Sequence, residues 1–268
     1  MDNQVSLLEA VKSGELEHVC QTFKREISID EINSALCWAS RLGHDFLVRF
    51  LLENGADVNC QEFNGFTPLI WAVIHAPNDS VLKTLIDSGA DVHHCSLKFR
   101  QTALHAAVIR GRTDFIHLLL DNGADPDVCD YLHKTPLLHA TYKGHIECAV
   151  ILLQHNCDVD IPGVTQGESM SPLICALVQN NLEMVKILFM AGAKFKKSAI
   201  YHTFTLKDFY QTIESNLNLM IRPIILQQQC RIRVRQFLKP EFVKKLQALR
   251  GILPLPMHNY LSLADLDT

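Results

Sequence analysis

The chain lacks a dominant charge, a long apolar run, a paired-cysteine motif and any constellation of residues known to do chemistry. Its 25 basic residues nearly balance 29 acidic ones, for a formal net charge of -4, so no field favours nucleic acid or an anionic membrane. No apolar stretch approaches the roughly 18 residues that span a bilayer. The opening MDNQVSLLEA has no basic segment followed by an apolar one. Neither export nor membrane insertion is expected, and the protein is expected in the cytoplasm, with the nucleus also open to it. The nine cysteines, at 20, 37, 60, 95, 129, 148, 157, 175 and 230, are odd in number and form no C-x-x-C pair. That spread suits reduced thiols, since a disulfide scaffold would be smaller and denser. Cys60, Cys95 and Cys129 recur along the chain, but zinc requires ligands that converge as a tetrahedron; a small buried residue accounts for them better, and no metal is expected. No Ser/His/Asp set, phosphate-cradling G-x-x-x-x-G-K-[ST] loop or H-E-x-x-H helix occurs, so no catalytic residue and no cofactor is expected.

What the chain does have is self-similarity. The middle of a T-P-L motif falls at 68, 103, 136 and 172, in Phe66-Thr67-Pro68-Leu69, Gln101-Thr102-Ala103-Leu104, Lys134-Thr135-Pro136-Leu137 and Met170-Ser171-Pro172-Leu173, with a weaker copy at Ser34-Ala35-Leu36. A second mark keeps the same beat: Gly55-Ala56-Asp57, Gly89-Ala90-Asp91, Gly123-Ala124-Asp125, Asn156-Cys157-Asp158 and Gly192-Ala193-Lys194. Each threonine can cap a helix through its hydroxyl, and Pro68 and Pro136 then fall at the first helical position, where a missing N–H costs nothing. The glycines end a second helix at a position suited to positive φ, and Asn156 is the best substitute there. A pair of short antiparallel helices cannot bury its faces alone, so neighbouring pairs must stack.

Five clear repeats are counted, at about 31–61, 62–95, 96–129, 130–161 and 166–197, preceded by a degenerate one over about 1–30 that reads as an N-terminal cap. Three departures from the pattern stand out. His75 to Asp79 replaces the usual Gly-His between helices, Pro162 to Glu168 is an insertion, and Arg100 and His133 stand where another repeat has Gly65. The first two are expected to enlarge surface loops, and the turns at Arg100 and His133 to take another shape. With its period of about 33 and Thr102-Ala103-Leu104-His105-Ala106-Ala107, the chain resembles the ankyrin-repeat family across residues 1–197.

Beyond Lys197 the beat stops. Residues 198–222, with Tyr201, Phe204, Phe209 and Tyr210, read as a helical connecting segment that closes the last repeat. In 223–268, Leu226, Cys230, Val234 and Leu238 stand at i, i+4, i+8 and i+12, an apolar stripe on one helix, and Leu253-Pro254-Leu255-Pro256 follows as a short extended segment. This combination resembles a SOCS box. In that family the L-x-x-x-C-x-x-x-aliphatic helix docks on elongin C and the L-P-aliphatic-P segment selects cullin five. The resemblance therefore assigns Leu226, Cys230, Val234 and Leu238 to elongin binding, and Leu253, Pro254, Leu255 and Pro256 to cullin binding. A helix that merely caps the stack is the other reading of the stripe.

Taken whole, the chain resembles the ankyrin repeat and SOCS box proteins. The implied fold is all-α: an ankyrin-repeat solenoid of about six repeats with short hairpin loops, then a small three-helix SOCS box. The implied function is a non-catalytic substrate receptor, in which the repeats hold a target protein while the box recruits elongins B and C and cullin five with its RING subunit for ubiquitination and proteasomal degradation. A scaffold that binds protein partners without recruiting a ligase is the alternative.

Aromatic residues near the hairpin tips, Phe63, Phe66, Phe99 and Tyr131, are candidates for target contact, with Trp71, Arg110 and Tyr142 on first helices behind them. The tip aromatics could instead fold back on neighbouring tips. His105, like His44 and His145 after interhelix glycines, reads as a hydrogen-bonded scaffold residue. The stretch up to Asp57-Val58-Asn59 looks like the ankyrin-loop sequence modified by an asparaginyl hydroxylase, which makes Asn59 a candidate for hydroxylation; a plain turn asparagine is the other reading.

Overall fold

Threonine and serine hydroxyls set where the helices begin. In a computed structural model that describes residues 6–23, 26–165 and 168–194, the Oγ1 of Thr67 accepts from the Ile70 N–H, that of Thr135 from Leu138, and the Oγ of Ser171 from Ile174. Pro68, Pro136 and Pro172 occupy the first turn of the helices so started. Twelve α-helices result among the described residues, in six consecutive pairs: α1 (Leu7–Ser13) with α2 (Leu16–Thr22), α3 (Ile29–Leu42) with α4 (Asp45–Glu53), α5 (Pro68–His75) with α6 (Ser80–Asp87), α7 (Ala103–Arg110) with α8 (Thr113–Asp121), α9 (Pro136–Lys143) with α10 (Ile146–Gln154), and α11 (Pro172–Val178) with α12 (Leu182–Met190). The weaker motif Ser34-Ala35-Leu36 does not start a helix. Ser28 caps α3 instead, through the Glu31 N–H, so α3 runs 14 residues and Ser34 lies inside it.

Stacking follows from side-chain size. Each first helix carries an alanine five residues after the motif threonine or its equivalent, Ala39, Ala72, Ala107, Ala140 and Ala176, and all five are fully buried. So are Leu36, Leu104, Leu137 and Leu173, with Leu69 at 1 % exposure. Alanine lets adjacent helices approach closely while leucine fills the space beside it, each leucine contributing about 2 kcal/mol of burial. First helices pack in succession, α1 on α3, α3 on α5, α5 on α7, α7 on α9 and α9 on α11.

The second helices end in one repeated device. After α4, α6, α8, α10 and α12 a residue at positive φ reverses the chain: Gly55 (90°), Gly89 (87°), Gly123 (84°), Asn156 (59°) and Gly192 (96°); α2 ends instead at Phe23, with φ of -68°. The next N–H, of Ala56, Ala90, Ala124, Cys157 or Ala193, then donates to the carbonyl of Leu51, Leu85, Leu119, Leu152 or Leu188, satisfying an orphan of the last turn.

The hairpin tips are zipped to one another by single backbone bonds. The Leu97 N–H donates to Asn64 O (2.8 Å), Tyr131 N–H to Phe99 O (3.0 Å) and Val164 N–H to Leu132 O (2.8 Å). The last bond shows what the insertion does. Instead of a loose loop, it forms a two-stranded antiparallel hairpin, β1 (Gly163–Thr165) with β2 (Glu168–Met170), whose first strand joins the tip ladder.

Of the turns at Arg100 and His133, both expected to take another shape, the Arg100 turn does and the His133 turn does not. Both residues keep the positive φ of Gly65 (72°), at 50° and 55°. His133 closes its turn as Gly65 does, its N–H on Asp130 O and the Asp130 N–H on Lys134 O, matching Gly65 on Glu62 and Glu62 on Phe66. The turn before Thr102 is one residue longer, running from the Ser96 N–H to Gln101 O. The left-handed conformation is imposed by these closures, so a side chain is tolerated at some strain.

Candidate partner-binding surface

The first helices differ from the second in charge. No Asp or Glu occurs in α5, α7, α9 or α11, and the acids of α1 (Glu9) and α3 (Asp30 and Glu31) sit in the first turn. Acids gather on the second helices: Asp45 and Glu53 in α4, Asp87 in α6, Asp114 and Asp121 in α8, Glu147 in α10 and Glu183 in α12. Lys12, Arg41, His75, Arg110 and Lys143 stand on the first helices. Formal near-neutrality of the chain thus hides a division between its two layers of helices.

On the N-terminal rungs the cations meet aromatic rings. Lys12 Nζ lies 4.4 Å from the centre of the Trp38 ring. The Arg41 guanidinium carbon is 4.9 Å from Trp38 and 5.1 Å from Trp71, so one cation is shared by two indoles. Trp71 also stacks on His75 (5.6 Å between centroids) and takes the edge of Phe66 (5.1 Å). Its buried Nε1–H has no acceptor among the described residues. Burial first, then the charges of Arg41 and Arg110, hold the His75 imidazole below its ordinary range. Burial raises the Glu62 carboxyl, partly offset by Arg41.

A buried polar cluster lies under the middle rungs. Asp130, 3 % exposed, accepts from the Leu132 and Lys134 N–H groups at one oxygen (2.8 and 2.9 Å), while the other meets His139 Nε2 at 2.9 Å. Burial would raise this carboxyl, but the His139 bond and two backbone donors prevail and bring it down to about 2. His105 shares a capping box with Thr102, and its Nε2 meets Lys134 O at 3.1 Å. Burial lowers His105 to about 4. Asp130 and His139 brace the turn and first helix of their own repeat, while His105 holds one repeat to the next, as does His145, whose Nε2 lies 3.4 Å from Ile109 O.

The residues singled out at the tips and first helices occupy several places. Phe99 and Tyr131 lie together, ring centroids 5.8 Å apart, with Tyr131 half exposed. Phe66 packs on Trp71 rather than on a neighbouring tip, and Arg110 is exposed at the end of α7. Tyr142 stands on α9 with Lys134 Nζ 5.0 Å from its ring centre. Phe63 belongs to a short 3-10 turn, Phe63–Gly65; its side chain lies outside the described residues. Sequence reasoning missed Lys12, Trp38 and Arg41. Trp38 stands one period before Trp71, a signal the repeat spacing contained.

Asn59 joins two tips: its Oδ1 accepts the Asp91 N–H (2.8 Å) and its Nδ2 donates to Gly89 O (3.3 Å). Asn33 to Asp57, Asp127 to Asp158 and Asp160 to Lys194 repeat the first of these bonds. Cys60 is buried with its sulfur 3.8 Å from Cys37, whereas Cys95 and Cys129 each donate to a carbonyl two residues earlier. The segment 198–222, the elongin-contact residues Leu226, Cys230, Val234 and Leu238, and the cullin-contact residues Leu253 to Pro256 lie outside the described residues.

Comparison with protein families decides the identity. The model for ankyrin repeats (3 copies) matches residues 7–96, 75–163 and 104–199, most of the chain, and the model for the SOCS box matches residues 222–262. The chain belongs to the ankyrin repeat and SOCS box proteins. Comparison with individual curated proteins gives no match. Like its family, this ankyrin repeat and SOCS box protein combines a protein-binding array with an adaptor domain for elongin and cullin, both of them non-catalytic modules.

Proposed function

We propose that the protein is the substrate receptor of a cullin-RING ubiquitin ligase, acting in the cytoplasm or nucleus. The repeats hold a target while Leu226, Cys230, Val234 and Leu238 dock on elongin C of the elongin B–elongin C pair. Leu253, Pro254, Leu255 and Pro256 select cullin five with its RING subunit. Ubiquitination marks the target for proteasomal degradation. One observation carries this reading: a SOCS-box match at 222–262 follows in the same chain the ankyrin match that ends at 199. The mechanism is proximity. An adaptor needs no reacting group of its own, because holding the target near charged ubiquitin raises the effective concentration of its lysines.

The i, i+4, i+8 stripe suits a helix laid in an apolar groove, with Cys230 as a small plug in place of a nucleophile. Co-expression with elongins B and C is expected to yield a stable ternary complex. Leu226→Pro or Cys230→Phe is expected to abolish it while the repeats keep their helical circular dichroism. Retention of elongins by both variants would sink the assignment.

A further inference from the structure

Arg41 is a cation whose place is set by its neighbours while its donors are left free. Two indoles, Trp38 and Trp71, hold the guanidinium at 4.9 and 5.1 Å, yet among the described residues it has no carboxylate within 4.0 Å and no hydrogen-bond acceptor. A guanidinium presents five N–H donors in a planar fork that matches a carboxylate, and aromatic packing removes much of the rotamer entropy that such a pair would otherwise cost. Lys12 is likewise held by a ring, and Arg110 is exposed one rung beyond Trp71 and His75.

We propose that the ring-held cations Lys12 and Arg41, with the exposed Arg110 beside them, receive an acidic peptide segment of the target protein, with Arg41 pairing with one of its carboxylates. The proposal rests on the reading that the repeats hold a target, and it names the chemistry of that target. Charge complementarity favours this occupant. No carboxylate stands on α5 or α7, the acids of α3 lie in its first turn, at the end of the helix away from Arg41, and Glu9 of α1 is engaged by the Ser6 N–H at 3.2 Å. Glu62 is the acidic group that feels Arg41, and it makes no ion pair with it. Indole surface between the cations adds apolar contact area and keeps water from the pair, the setting in which an interfacial ion pair contributes most. A basic or wholly apolar segment would leave Arg41 covered and unpaired.

The test is selection of peptides from a random sixteen-residue display library on the immobilised full-length chain. Enriched sequences are expected to share Asp or Glu, to be released by raised salt, and to be retained at least about tenfold less by Arg41→Gln and by Arg110→Glu. Lys186→Glu, on α12 of the other layer, is expected to retain them as the unsubstituted chain does. Arg110 is exposed, so Arg110→Glu carries the test should Arg41→Gln lower the melting temperature. Enriched sequences without carboxylates, equal retention by both variants, or no enrichment at all would each overturn the proposal. Recovery of elongins B and C by the same preparation reads the ligase assignment separately, so the two can fail independently.

Discussion

The His105 imidazole meets the carbonyl oxygen of Lys134 at 3.1 Å, so a fully buried side chain of one repeat holds the backbone of the next. Burial lowers the His105 pKa to about 4, against the Lys134 bond that favours the charged form, and the neutral ring lets Nδ1 accept the Thr102 N–H at 3.3 Å. In the unfolded chain the ring takes a proton near ~6.5. Between those values the unfolded state binds more protons, so stability rises with pH. His105 is thus expected to give its full support above ~6.5 and to lose it as pH falls towards 4, on the order of 3 kcal/mol in all. Urea midpoints measured from pH 7 to 4.5 check this: His105→Gln is expected to flatten the slope, and an unchanged slope would contradict the assignment.

Asp130 acts at lower pH, by a shift in the same direction but with the charged form favoured. Its carboxyl is depressed to about 2, so its contribution is present above the unfolded value of ~3.9 and is lost only as pH falls through that window. At neutral pH the tighter test is substitution. Asp130→Ala leaves His139 Nε2 and the Leu132 and Lys134 N–H groups without their acceptor, and is expected to cost about 3 kcal/mol. Differential scanning calorimetry should show the loss at pH 7.

His133 holds φ at 55° because its turn closes through Asp130 and Lys134. His133→Gly relieves a left-handed conformation that costs an L-residue roughly 1–2 kcal/mol, against the greater freedom glycine gives the unfolded chain. The expected result is a gain of up to about 1 kcal/mol, read as a raised urea midpoint.

The β1–β2 hairpin lies close against the preceding tip. A Cβ at Gly163 would stand 2.6 Å from His133 O and 2.7 Å from a Leu138 methyl carbon. Gly163→Ala is expected to destabilise by about 1–3 kcal/mol and to accelerate hydrogen exchange of the Val164 N–H that bonds Leu132 O. Normal protection at Val164 would show that the insertion is not anchored there.

Helix pairing, the caps at Thr67, Thr102 and Thr135, and the glycine stops were legible in the sequence because each depends on local chemistry: a hydroxyl within reach of the third N–H, a proline where no donor is needed, a residue free to take positive φ. The family was legible for the same reason, since a period and two motifs are one-dimensional. The start of α3 was not, because Ser28 offers a rival cap just upstream of the motif-like Ser34. Nor were the turns at Arg100 and His133, where backbone closures outweigh the preference for glycine. Nor was the strand pair formed by the insertion, whose Val164 N–H bonds Leu132 O of a tip thirty-two residues earlier. The cation shared by Trp38 and Trp71 needed the tertiary structure most: Arg41 and Trp71 are thirty residues apart, and only the spacing between stacked helices brings a guanidinium within reach of both rings. Local rules decide which residues form a rung, and packing distance between rungs decides which side chains share a surface.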